Sequence, residues 1–168
     1  MTRITVQRTI AAPPETIFAA VSDVHTLPSR DPAVKRIEFL TETESGVGTR
    51  FRETRVHKGK EMVTELEVTE YSTNDRVRMV ADSHGTVWDT TFEVKPAGDS
   101  AELIVTMDAR AHKLMPRLLN PLLKGMFRKG LETYMDTVKT HCEKPQPQTS
   151  PIAASPSDGR AGIGAAAK

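Results

Sequence analysis

The residues best suited by type and spacing to acid–base or ion-pair chemistry lie in one stretch, GTRFRETRVHKG, residues 48–59. Read as a β-strand, whose side chains alternate between faces, it sets Thr49, Phe51, Glu53, Arg55 and His57 on one side. Arg50, Arg52, Thr54, Val56 and Lys58 take the other. Neither side is apolar, whereas a half-buried antiparallel strand alternates apolar with polar. Glu53 and Arg55 therefore face water or a cavity. An unpaired carboxylate or guanidinium is costly to bury, so the two must pair with each other or across strands, meet water, or contact a polar group on a ligand. A bulge between Phe51 and Val56 would reverse the phase and send Arg55 outward.

His84, in the turn DSHGT, is the other candidate for proton transfer. An imidazole exchanges protons near neutral pH, so His84 at the mouth of a cavity could serve an enolisable carbonyl, and a solvated turn residue is the plainer reading. Asp82 shares its strand face, while Asp89 points away from Trp88 and outward. Other chemistries lack their residues. His25, His57, His84, His112 and His141 show no HxxxH or HxH spacing and Cys142 is the only cysteine, so no metal site is expected. Gly46 and Gly48 sit in a turn with no helix after them, which removes a phosphate loop. No serine stands in a GxSxG elbow, and Cys142 has no activating partner beyond His141. No cofactor is expected.

These residues need a scaffold, and the periodicity supplies one. Residues 2–9 alternate with Ile4 and Val6 on one face; AAPPETIFAAVSD then changes to a helical period, with Pro13 and Pro14 at its start and Ile17, Phe18 and Val21 as an apolar stripe. VHTLPSRDPAV leaves room for one more helical turn. From Val34 to Arg110 strand follows strand, separated by ESGVG, HKGK, STND, SHG and PAGDS. With the first, that makes seven strands; short turns require antiparallel neighbours, hence a meander of at least six. LMPRLLNPLLKGMFRKGLETYMDTVKTHC follows with apolar residues at helical spacing, a long helix that would cover the sheet. Pro116 and Pro121 imply a kinked or separate beginning, and Gly125 and Gly130 would let something approach its backbone.

The 168 residues, with net charge +1 and 27% charged residues, suit one domain with a sizeable core and give no general attraction to nucleic acid. The first residues alternate where a signal peptide would be continuously apolar, and no run approaches the roughly 20 apolar residues of a membrane span, so a cytoplasmic location is expected. A single cysteine fits a reducing compartment. After Glu143 the chain turns to Pro, Ser, Gly and Ala without an aromatic residue, so residues 144–168 read as a disordered tail beyond a domain of residues 1–143.

The element order, with the motifs PPETIFAAVSD, GVGTRFRETR, EVTEY, SHGTVWDTTFEV and LMPRLLNPLLKGMFRKGLETYMDTVK, resembles a bacterial polyketide cyclase/dehydrase-like protein of the START and birch-pollen-allergen (SRPBCC) superfamily. The resemblance implies an α+β helix-grip fold: a curved antiparallel seven-stranded sheet around a long C-terminal helix, short helices after the first strand, and a lipophilic cavity between sheet and helix. It places Phe51 toward the helix, so Glu53, Arg55 and His57 continue along the inner wall or toward its mouth. Leu66, Val68, Met79, Trp88, Thr90 and Phe92 would line that wall from the sheet, with Val105 and Met107 beside them. Leu119, Leu122, Met126 and Tyr134 would line it from the helix. Solid core packing is the alternative role for each of these residues. The methionines Met107, Met115, Met126 and Met135 would suit a deformable pocket.

The implied function is binding of a lipophilic small molecule: a lipid, a polyketide or an isoprenoid-like compound. Two alternatives stand beside it: a polyketide cyclase or dehydratase that uses Glu53, Arg55 or His84 in acid–base chemistry, and a protein-interaction module of the same fold. HKLMPRLLNPLLKGMFRKG combines cations with an apolar stripe, which also allows transient contact with a membrane surface.

Overall fold

In the computed structural model of this chain the structure describes residues 1–57, 59–114 and 122–144. Pro116, Leu119, Pro121 and all of the tail expected over 144–168 except Lys144 lie outside the described residues, as do Lys58, Met115 and the side chain of His57.

Strand β1 (Thr2–Ile10) buries Ile4, Val6 and Ile10 and turns Arg3, Thr5 and Gln7 outward, as its alternation requires. Helix α1 (Pro14–Ser22) starts at the first of its two prolines that can be helical: Pro13 stays extended, Pro14 supplies a preset φ, and Glu15 lies in the first turn. It buries Ile17, Phe18, Ala20 and Val21. A single further turn, α2 (Leu27–Arg30), carries Pro28 in its first turn and ends at Asp31.

The meander then runs β2 (Val34–Phe39), β3 (Arg50–His57), β4 (Lys60–Ser72), β5 (Arg76–Ser83), β6 (Thr86–Ala97) and β7 (Ser100–Ala111). The sheet order is β1-β7-β6-β5-β4-β3-β2, antiparallel throughout, with the first strand docked on the last from Thr2↔Ala109 to Ile10↔Ala101. Helix α3 (Lys124–Cys142) crosses the concave face. The seven strands and the helix they grip agree with the expected helix-grip fold.

Two rows of side chains make the closed part of the core. Val94, Leu103, Val105 and Val77 pack under Met135 and Val138 of α3, with Ile10, Ile17 and Phe18 at their side. Burial of such a set is the main favourable term for a domain of this size. One expectation about the helix is corrected: a side chain at Gly125 or Gly130 would meet open space, so neither glycine accommodates a close neighbour.

The convex face is held by charge. Asp89 is buried there under two arginines, accepting bonds of 2.7 and 2.6 Å from Arg78 and one of 2.6 Å from Arg110. Arg78 also reaches Glu70 at 2.8 Å, and Arg3 clamps Asp108 at 2.8 and 2.7 Å. Planar guanidinium forks suit such carboxylates, and the pairing explains how a sheet with so few apolar outward residues keeps its strands in register.

Candidate functional site

The phase of β3 decides what Glu53 and Arg55 do. Pairing with β4 is unbroken from Arg50↔Glu67 to His57↔Lys60, so no bulge intervenes between Phe51 and Val56. The irregularities lie instead in β2, between Val34 and Arg36, and in β4, between Val68 and Glu70. Phe51, Glu53 and Arg55 therefore share the concave face. Phe51 is buried against Phe39. Beyond it Glu53 sits between Ile37 and Thr64, and Arg55 between Val34 and Met62.

The two charges are paired, and with a third residue that the sequence reading did not include. Arg55 donates through Nε to Glu53 Oε1 and through Nη1 to Asp31 Oδ2 at 2.9 Å. Asp31 is fixed in turn: its amide donates to Leu27 O at 2.9 Å as α2 ends, and its Oδ1 accepts the Ala33 amide at 3.0 Å. Neighbouring Arg30 caps the end of α1, donating to the carbonyls of Ala20 and, at 2.9 Å, Asp23. Burial works against the charge on Arg55, but Glu53 and Asp31 outweigh it and hold the guanidinium more firmly protonated than usual. The only hint of Asp31 in the sequence is the turn-forming Asp-Pro pair in RDPAV.

Tyr134 comes to the same place from α3, its ring edge-on to Phe92 at 6.0 Å. Burial pushes its hydroxyl up to about 12, while Arg30 and Arg55 pull it down and Glu53 and Asp31 push it up. The phenol is therefore a neutral hydrogen-bond donor at any physiological pH, within electrostatic reach of the Asp31–Arg55–Glu53 chain.

The apolar wall changes character along the strands. Phe51, Val68, Met79 and Phe92 are buried, as is Val105. Toward the beginning of α3, Leu66, Trp88, Thr90 and Met107 are only partly buried, although they face the helix. Trp88 meets Phe127 edge-to-face at 5.0 Å, and Phe127, Leu131 and Tyr134 are themselves half-buried. Inner-face residues that keep accessible surface under a helix mean that sheet and helix are not fully closed on each other there.

Other expected residues stand elsewhere. Leu122 is 79% and Met126 56% exposed, so the expectation that they form an enclosed lining is corrected: they stand on the open surface at the start of α3. The turn containing His84 places that residue in the left-handed region, φ 53°, with an exposed side chain whose ring meets Ser83 Oγ at 2.6 Å. No described contact joins it to Glu53 or Arg55. Asp82 bonds His112 instead, at 2.9 Å. Among the described residues no three His, Cys, Asp or Glu side chains converge on a metal position, and no helix is long and apolar enough to cross a membrane.

A curved sheet gripping one long helix, with a partly accessible inner wall that ends in a polar chain, is the architecture of the helix-grip class. The chain belongs to the polyketide cyclase/dehydrase and lipid transport family, whose model matches residues 1–143. Solved structures with the same fold include a START superfamily protein from Mycobacterium smegmatis, 21% identical, with a TM-score of 0.70 over 84% of this chain and 97% of that one. Another is TTHA0849 from Thermus thermophilus, 20% identical, TM-score 0.69, with the same coverage of 84% and 97%. A third is norcoclaurine synthase from Thalictrum flavum in complex with dopamine and hydroxybenzaldehyde, 17% identical, TM-score 0.66, over 83% of this chain and 85% of that one. No curated protein matches the sequence.

Proposed function

We propose that this protein binds a lipophilic small molecule, of the lipid, polyketide or isoprenoid kind, between the concave face of the sheet and the first half of α3. The observation that carries the reading is the half-buried state of Leu66, Trp88, Thr90 and Met107 beneath the helix, next to a polar chain that is already internally satisfied. Apolar area supplies affinity and a few fixed polar groups supply orientation, which is the usual division of labour in such sites. Here the apolar area is Leu66, Trp88 and Met107; the orienting groups are Arg55 and the neutral hydroxyl of Tyr134. The family description, which includes lipid transport, supports the same reading.

The test uses the sole tryptophan. Native mass spectrometry of the purified chain, followed by solvent extraction, should recover a lipophilic species in near-stoichiometric amount. Titration of that species into emptied protein should change Trp88 emission. Leu66→Arg should abolish both signals while the chain stays folded; retention of the ligand by that variant would remove the site from this account.

A catalytic reading rests on a separate feature: the half-shielded Asp31–Arg55–Glu53 chain on the inner wall, with the phenol of Tyr134 on the helix that covers it. Glu53 and Tyr134 suit proton transfer in a cyclase or dehydratase, and the norcoclaurine synthase structures place an enzyme on the same fold. Catalysis requires Glu53→Gln or Tyr134→Phe to depress kcat far more than it raises KM on an enolisable substrate. His84→Ala should be without effect. Binding without turnover in the unmodified chain would leave the carrier reading alone.

A further inference from the structure

Antiparallel pairing gives the molecule two ends. The β3–β4 tip, the β5–β6 tip, the end of β7 and the start of α3 lie at one; the β2–β3, β4–β5 and β6–β7 turns lie at the other. The first end is tied together by the amides of His112 and Lys113, which donate to Gly85 O at 3.0 and 3.3 Å. The aliphatic stem of Lys113 lies against Gly85, where a Cβ would come within 2.6 Å of it. The half-buried inner wall is on this side, since Trp88 near the beginning of β6 meets Phe127 near the beginning of α3.

Two independent properties are concentrated at this end. Exposed aliphatic side chains are one: Val56, Met62, Val63, Leu114, Leu122 and Met126 stand there, against Leu40 and Val47 in the β2–β3 turn at the other end. Unpaired lysines are the other. Nearly every described arginine has a carboxylate partner, but Lys60, Lys113, Lys124 and Lys129 have no ion pair among the described residues. Carboxylates without an ion pair among the described residues, Glu42, Asp75, Asp99 and Glu102, collect at the opposite end, where Lys95, in register with Glu102, and Lys144 are the lysines without one. With a net charge of only +1, the unpaired charges of the described residues are thus separated along the strands, more cations at one end and more carboxylates at the other.

We infer that the end bearing Lys60, Lys113, Lys124, Lys129 and the exposed aliphatics docks on an anionic lipid surface. Lysines spread over separate segments, each a mobile and hydrated point charge, fit the diffuse field of a charged bilayer better than the fixed forks of a protein partner. Aliphatic side chains among them can enter the headgroup boundary. The charge separation turns the negative end away. The biological sense of such docking, loading of a ligand from the bilayer, rests on the lipophile-binding reading; the docking itself is measured separately.

The experiment is flotation of the full chain with vesicles of phosphatidylcholine alone and of phosphatidylcholine mixed with phosphatidylserine, at rising salt. Binding should be strong only to the mixed vesicles and should weaken as the ionic strength rises. Each lysine near the surface contributes roughly fivefold in affinity, so Lys124→Glu with Lys129→Glu should lower it by about 25-fold or more. Lys95→Glu alters the net charge in the same direction from the opposite end and should leave binding within about twofold. Leu122→Ser with Met126→Ser should weaken binding without changing its salt dependence. Thermal unfolding midpoints equal to that of the parent chain exclude misfolding as the cause. Equal binding to both vesicle types, no binding at all, or an equal loss from Lys95→Glu would overturn the inference, as would a dimer that buries Leu122 and Met126 in sedimentation. If flotation fails while a lipophile still changes Trp88 emission, docking is wrong and the binding reading stands. Flotation without any ligand response keeps the docking and removes the binding reading.

Discussion

Arg55, near the end of β3, donates to Asp31 Oδ2 at 2.9 Å across 24 residues of chain, and through its Nε also holds Glu53. This contact joins the loop after α2 to the sheet at the polar end of the inner wall. Glu53 and Asp31 are well shielded, with side chains 11% and 14% exposed, whereas Arg55 remains 37% exposed. Arg55 is thus the member of the chain that can still turn a donor toward a ligand.

Asp31→Asn leaves Arg55 with one carboxylate and should destabilise the fold by about 1–2 kcal/mol, moderated by the solvent contact of the guanidinium. Asp31→Asn and Glu53→Gln combined with Arg55→Met should recover most of that loss, because no shielded charge is then left without a partner. Urea unfolding midpoints of both variants check this; equal destabilisation in the two would show that Asp31 acts through the Ala33 amide instead.

On the convex face, hydrogen bonds from Arg78 hold the Asp89 carboxyl below the usual carboxylate range against the opposing effect of burial, and Arg110 adds to it. A lowered value in the folded state means that protonation favours unfolding: the stabilisation is complete above the unfolded-state value and is lost as pH falls through the folded-state one. Thermal midpoints should therefore fall steeply below about pH 4. Asp89→Asn should be less stable at neutral pH and flatter on the acid side. An acid limb of unchanged steepness in the variant would assign acid unfolding to other carboxylates such as Asp108.

Tyr134 shapes the alkaline limb together with Cys142, whose thiol burial also raises. With its hydroxyl raised from 10.0 to about 12 by burial, the folded chain keeps a proton that the unfolded chain releases. Stability is complete below the unfolded value and declines as pH rises from 10.0 toward about 12. Tyr134→Phe should reduce that decline and remove the later phenolate absorbance in an alkaline titration. A bound ligand accepting a bond from the hydroxyl should delay it further.

Cys142 is buried near the end of α3, with its thiol 3.9 Å from Thr16 O, and burial pushes it up to about 11. The thiolate is the reactive form, so alkylation in the folded chain at mild pH should run at least about a hundredfold slower than in denaturant. The residual rate then measures how often the end of α3 lifts from α1. Labelling as fast as in denaturant would mean that this end of the helix is not held.

The seven strands, the two early helical turns and the covering helix were legible in the sequence because each rests on a local signal. Alternation in TRITVQRTI, the prolines of AAPPETIF and the turn residues between strands act within a few residues of chain. The placing of Glu53 and Arg55 after Phe51 on one face was open in the sequence, where a bulge could reverse the phase; the unbroken β3–β4 register decided it. Partnership is a property of the assembled fold. Asp31 could not be joined to Arg55 from residue types, as the contact depends on how α2 lies over β2 and β3. The separation of unpaired charges was visible only in part: HKLMPRLLNPLLKGMFRKG marked Lys113, Lys124 and Lys129 as cations beside an apolar stripe, but Lys60 read like any other lysine until the cross-strand register gave carboxylates to the arginines and left none for it. The helical stripe marked Leu122 and Met126 like Tyr134, but the covering of a helix depends on the distance to the sheet at each turn. That distance left the first two exposed and brought Tyr134 against Phe92.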